Sequence, residues 1–262
     1  MDQAASAIRA ELIEGGTLLR VVLDRPPGNL LTAALCGEVA AALAAHRELP
    51  QLRLVYLVGA GHSFSYGASI QEHRAPAIEP LLRSFHGLAR AVAEYPVPVA
   101  ALVEGRCYGG AFELVLCCHL VFATPGARFA WPEIKLGVFP PLAAALAPLR
   151  LGGALAERLI LTGDELSARS LERAGFLAAL FETPDPELPL VEWYRERMRP
   201  LSAEAIRQAT RALRSGSELR ARLAEPLSRT EAQYLAEAAP SHDGREGIEA
   251  FLAKRSPRFE DR

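Results

Sequence analysis

The chain has 262 residues, half of them hydrophobic and 23% charged, which fits an ordinary globular protein. That length builds one large domain, or one domain with a helical appendage. With 29 basic against 31 acidic residues and a net charge of −2, the balance argues against a broad nucleic-acid-binding surface, although a local basic pocket stays open.

The four cysteines, Cys36, Cys107, Cys117 and Cys118, match no zinc-ligand spacing. They read as reduced, mostly buried thiols of a cytoplasmic protein. The N-terminus lacks a basic region followed by an apolar one, so no secretory signal is expected. No charge-free apolar run reaches the roughly 18 residues of a membrane span.

In chain order, residues 7–13 and 17–24 are short runs separated by Glu14-Gly15-Gly16, a hairpin signal. Residues 32–47 are rich in alanine and leucine and predict a helix with Thr32 as N-cap. Leu54–Val58 predicts a buried strand, residues 78–94 a helix, and Val97–Val103 a second buried strand. A helix is expected near Gly109, followed by a strand at Leu120–Ala123. Residues 142–162 and 167–174 add helices. The alternation implies an α/β core with strongly buried strands. After Thr183-Pro-Asp-Pro-Glu, residues 190–255 show only helical patterning. We therefore expect a core over 1–190 and a C-terminal helical region over 191–262. That tail suits an amphipathic cap on the core or a subunit interface, and its pattern does not separate the two.

Two glutamates stand out because their neighbours avoid charge. Glu113 lies in Cys-Tyr-Gly-Gly-Ala-Phe-Glu-Leu-Val-Leu (107–116), and Glu133 in Arg-Phe-Ala-Trp-Pro-Glu-Ile-Lys-Leu-Gly (128–137). A carboxylate that loses hydration has its pKa raised toward useful acid/base range. Gly109-Gly110 opens a helix whose first N–H groups have no intrahelical partner, so a ligand oxygen can accept from them. A second glycine turn, Phe64-Ser-Tyr-Gly-Ala-Ser-Ile (64–70), offers the Ala68 N–H as another donor. Two donors aimed at one oxygen form an oxyanion hole, each worth about 3–4 kcal/mol. Blander readings exist for each part. The glycines suit close strand–helix packing, Glu113 suits helix-end electrostatics, and Glu133 suits a solvated loop.

The order of these segments resembles the crotonase (enoyl-CoA hydratase/isomerase) superfamily. The resemblance also runs through Leu23-Asp-Arg-Pro, Leu161-Thr-Gly163 and Gly244–Arg255. Within the superfamily, Phe64-Ser-Tyr-Gly-Ala-Ser with Glu72-His73, Ser84-Phe-His-Gly-Leu88, Leu136-Gly-Val-Phe139 and Ser241-His-Asp243 are most similar to the cyclohexa-1,5-diene-1-carbonyl-CoA hydratases. The resemblance implies a ββα spiral core with a C-terminal helical region, assembled as a trimer or a dimer of trimers. It implies hydration of an α,β-unsaturated CoA thioester with no metal or redox cofactor. Ala68 and Gly110 match the oxyanion donors, and Glu113 and Glu133 match the acid/base pair. Backbone groups of Tyr66, Gly67, Ala68, Ser69 and Ile70 match the segment that meets CoA, and Lys254 matches a phosphate-binding lysine. Arg25 is a further phosphate candidate by charge.

Some positions depart from the family pattern. Ala111 replaces a third glycine, Ser69 replaces an aspartate, and Trp131 replaces a glutamine. Pro141 replaces a glycine that helps orient the catalytic water, and a proline has no N–H. Trp131 is expected either to wall a flat acyl group or simply to pack in the core. His62, His73, His86 and His242 are expected to be surface or structural, with His73 and His86 flanking the acyl pocket by resemblance. Rival readings keep the fold but change the role: a dehydratase, isomerase or decarboxylase on a CoA or carrier-protein thioester, or a non-catalytic acyl-CoA- or RNA-binding relative.

Overall fold

The computed structural model describes residues 6–262. Strands β1 (Ile8–Ile13) and β2 (Leu18–Leu23) form the expected hairpin, with Ile13 opposite Leu18. Helix α1 (Ala33–His46) follows, and the Thr32 side chain accepts from the Leu35 N–H as its N-cap. Strand β3 (Leu54–Gly59), helix α2 (Ile78–Ala93), strand β4 (Val99–Val103) and helix α3 (Gly110–Cys117) come next, followed by β6 (Leu120–Ala123). Strand β4 begins two residues later than the apolar run. Pro98 accepts from the Val55 N–H but has no N–H of its own to extend the ladder.

One sheet runs β1-β2-β3-β4-β6-β9, where β9 is Ala179–Leu180; beyond the hairpin every pairing is parallel. Every residue of β4 is buried, as expected where both faces of a parallel sheet are covered. One face packs Val55, Leu57, Val99 and Ala101 beneath α1, α2 and α3. The other packs Leu54, Tyr56, Ala100 and Leu102 against Leu190, Tyr194 and Met198, contributed by α7 (Glu187–Arg197) and the turn after it. Glu187 clamps this layer: Arg20 donates to both of its oxygens at 2.6 Å, and the Tyr56 hydroxyl donates at 2.8 Å. Position 190 thus lies inside α7, on the sheet.

The sequence pattern did not reveal a second sheet, ordered β5 (Arg106–Tyr108), β7 (Arg128–Ala130), β8 (Glu165–Ser167). Its strands have three residues each, too few for an alternation to register. Helices α4 (Pro141–Leu151), α5 (Gly153–Thr162) and α6 (Ala168–Arg173) complete the core. Beyond α7 come α8 (Ala203–Ser215), α9 (Glu218–Arg222), α10 (Glu225–Gln233), a π-helical turn (Tyr234–Ala238) and α11 (His242–Leu252). Helix α10 crosses α4, and the Thr230 hydroxyl donates to the Pro141 carbonyl at 2.9 Å. No helix among the described residues is long and apolar enough to cross a membrane.

Candidate active site

Strand β5 leads straight into α3 through Gly109, whose φ of 52° and ψ of −129° suit glycine. The Gly109 N–H donates to the Ala130 carbonyl on β7, which fixes the start of α3 against the second sheet. The 64–70 turn is stitched alongside by parallel bridges, Ser65 to Cys107 and Leu31 to Ala68. Gly67 (φ 95°) packs directly on this junction. A Cβ there would stand 2.5 Å from the Tyr108 carbonyl oxygen and 3.3 Å from the Gly110 nitrogen.

This packing brings the two expected donors together. A Cβ on Gly110 would lie 3.4 Å from the Ala68 nitrogen, so both N–H groups border one space. Neither donates a hydrogen bond among the described residues. Their neighbours are engaged: Ser69 N–H goes to the Leu31 carbonyl and Gly67 N–H to the Ser65 hydroxyl. Gly110 is buried and Ala68 half-buried, so two adjacent donors without a partner among the described residues leave room for a ligand oxygen to accept from both.

Both glutamates face the same cavity, which Ala68 and Gly110 also line. Its volume is about 30 Å³, room for a water and little more. Glu113 is buried in the first turn of α3, and its Oε1 accepts from the Ala143 N–H at 2.8 Å. The Leu142 N–H also faces it, so the N-terminus of α4 is turned on this carboxylate. Burial pushes its pKa up, and the α4 amides and His86 partly offset the rise.

Glu133 sits on a 3-10 turn, Pro132–Leu136, anchored where Lys135 Nζ donates to the Gly163 carbonyl at 2.7 Å. Its Oε1 lies over Gly109, where a Cβ would approach it to 2.7 Å. Its Oε2 is sealed from solvent and has no partner among the described residues. Burial first, and then the Glu113 charge, push its pKa well above the usual carboxylate range. The solvated-loop alternative for Glu133 therefore fails. A site holding one carboxylate supported by the α4 amides and one carboxyl met only by its own backbone amide favours a single ionised member.

Two bulky positions part company. Pro141 lines the cavity as the first residue of α4. Trp131 does not: it is fully buried, and its ring stacks on Phe112 at 4.3 Å and 11°. Of its two expected roles, core packing holds.

Other expected residues lie further out. Tyr66 is exposed, with the Arg106 guanidinium 5.2 Å from its ring centre. Ser69 is buried, and Ile70 starts the short turn that ends at His73. Arg25 is exposed and donates to the Thr32 hydroxyl, while exposed Lys254 follows α11; neither lines the cavity. His73 lines the cavity, and its Nδ1 bonds the Ser69 carbonyl at 2.8 Å. His86 is no surface residue. It is 1% exposed, with Nδ1 2.7 Å from the Glu231 carboxylate. Tyr234, unmarked in the sequence, also lines the cavity, and its buried hydroxyl has no partner among the described residues. Nothing local in the helical tail distinguishes it from an ordinary core tyrosine.

Two free amides beside two buried carboxyls, carried on a spiral of ββα units, define a class of enzyme that handles charge developing on a carbonyl oxygen. Residues 14–262 match the family described as enoyl-CoA hydratase/isomerase, and the chain belongs to that family. It is 40% identical, over the full length of both chains, to the cyclohexa-1,5-dienecarbonyl-CoA hydratase of Thauera aromatica. It is 34% identical to a probable enoyl-CoA hydratase of Rhizobium meliloti (strain 1021), covering 92% of this chain and 94% of that one. Its crotonase fold superposes on the crystal structure of an enoyl-CoA hydratase from Mycobacterium avium subsp. paratuberculosis K-10. The TM-score is 0.85 at 26% identity, covering 98% of this chain and all of that one. This places the chain among the hydro-lyases of enoyl-CoA hydratase type.

Proposed function

We propose that the protein adds water to an α,β-unsaturated CoA thioester, and that its acyl group is the cyclohexa-1,5-diene-1-carbonyl ring. The ring assignment rests on the full-length likeness to the Thauera aromatica hydratase. One observation carries the reaction type: both carboxyls share a small cavity with two N–H groups that have no partner among the described residues.

In this reading the thioester oxygen accepts from the Ala68 and Gly110 amides, which stabilise the enolate. Glu113, supported by the α4 amides, is the ionised base that takes a proton from water as its oxygen bonds the β-carbon. Glu133, less supported and beside a charge, is the acid that protonates the α-carbon. One proton enters and one leaves the pair, and exchange with solvent restores it. Residues 66–70 meet the CoA chain, and Arg25 and Lys254 meet its phosphates. The working unit is a trimer or hexamer, measurable by sedimentation. No metal or redox cofactor takes part, so dialysis against a chelator should leave turnover unchanged.

The test is turnover of a cyclic dienoyl-CoA and of crotonyl-CoA side by side, followed by loss of conjugated absorbance. Preference for the cyclic ester supports the full proposal. Turnover of crotonyl-CoA alone removes the ring assignment, and turnover of neither removes the hydratase reading.

A further inference from the structure

We infer that the Tyr234 hydroxyl, brought in by the C-terminal helices, is the donor that orients the attacking water between the two carboxyls. This inference rests on the hydratase reading above.

The donors around the cavity are nearly all committed. The Ala68 and Gly110 amides are committed to the thioester oxygen. At the start of α4, Pro141 has no N–H, the Ala143 amide donates to Glu113, and the Leu142 amide, whose residue does not line the cavity, faces the same carboxylate. His73 lines the cavity, but its Nδ1 faces a carbonyl and must carry the ring proton. Burial holds that ring neutral, so its other nitrogen can only accept. Tyr234 remains. The residue lines the cavity, and its hydroxyl is buried, is without a partner among the described residues, and is close enough to Glu133 and Glu113 for both charges to act on it. Burial and then the two glutamates keep it protonated, hence a donor.

A water held by both carboxyls donates its two hydrogens to them. One lone pair must face the β-carbon. The remaining tetrahedral position needs a donor, and Tyr234 O–H supplies it. The ring is held for this duty. Phe139 packs edge-on to it at 5.6 Å and 73°. One turn earlier, Thr230 is tied to Pro141 and Glu231 to His86.

The test is Tyr234→Phe, which keeps the ring and removes only the hydroxyl. Hydration kcat should fall about tenfold to a hundredfold, with KM held within about threefold. Enzyme-catalysed exchange of the α-proton of a saturated acyl-CoA ester into D₂O should persist. That exchange uses the amides and a glutamate but no attacking water. Circular dichroism and Tm would verify that the variant is folded. An unchanged kcat in an active background overturns this inference alone. Equal loss of hydration and exchange also overturns it, because the residue would then merely support the site. A wild-type protein inert on every enoyl ester overturns the hydratase reading, and this inference with it.

Discussion

The two ends of helix α3 bury the same kind of orphaned backbone and treat it oppositely. At the C-terminal end, the Cys117 and Cys118 carbonyls accept from Arg214 and Arg150, each at 3.0 Å. Those cations also complement the negative end of the helix dipole. At the N-terminal end the positive pole is left open: the Gly110 amide has no partner among the described residues, and the Ala68 amide stands beside it. A helix end sealed by the protein's own charges serves stability. An end left unsealed next to buried acids is where the proposed thioester oxygen would bind, and its cost is borne by the rest of the fold.

The largest expected effects lie at the open end. Glu113→Gln and Glu133→Gln should each lower hydration kcat by about 10²–10⁴, while binding of a saturated acyl-CoA survives in calorimetry. Near-normal rates in both variants would remove the acid/base assignment. Gly110→Pro deletes one amide at a helix position that tolerates proline, and kcat should drop by about 10²–10³. Gly110→Ala keeps the amide, and its Cβ would meet ordinary contacts at 3.4–3.5 Å, so it should fold normally and lose less activity than Gly110→Pro.

The closed end should respond in stability instead. Arg214→Met strands a buried carbonyl and should cost about 1–3 kcal/mol in denaturant titration, with kcat unchanged. A kcat loss matching that of Gly110→Pro would erase the contrast between the ends.

The smallest effect is one of pH. Both glutamates bind their proton more tightly folded than unfolded. Their contribution is therefore intact below the unfolded carboxylate range and is lost as pH rises through the raised folded values. Glu133→Gln removes that loss. Its Tm should exceed the parent's at neutral pH by about 2–4 °C per kcal/mol recovered, with the gap closing near about pH 4. Activity should show the complementary limit, falling at high pH once the Glu133 proton is gone.

How much of this was legible follows from distance along the chain. Gly109, Gly110 and Glu113 fall within five consecutive residues of one strand–helix junction, so their pattern is local and readable. Glu133 was readable through its apolar setting, although only packing shows its carboxyl sealed over Gly109. The three-residue strands of the second sheet carry too little pattern to detect. Tyr234 and the His86–Glu231 pair were invisible for a different reason. They join the site across 145 residues in the case of that pair, through the crossing of α10 over α4. An amphipathic tail shows that it packs, but not against what.

The amides of Ala68 and Gly110, without partners among the described residues, are also built-in reporters. In a ¹⁵N-labelled sample their protons should lack the downfield shift that a strong hydrogen bond confers, and a thioester oxygen between them should move both together. Each Glu→Gln variant could then be scored for substrate engagement without any turnover at all. Occupancy of the oxyanion site would become a spectral line, separable from the chemistry that follows.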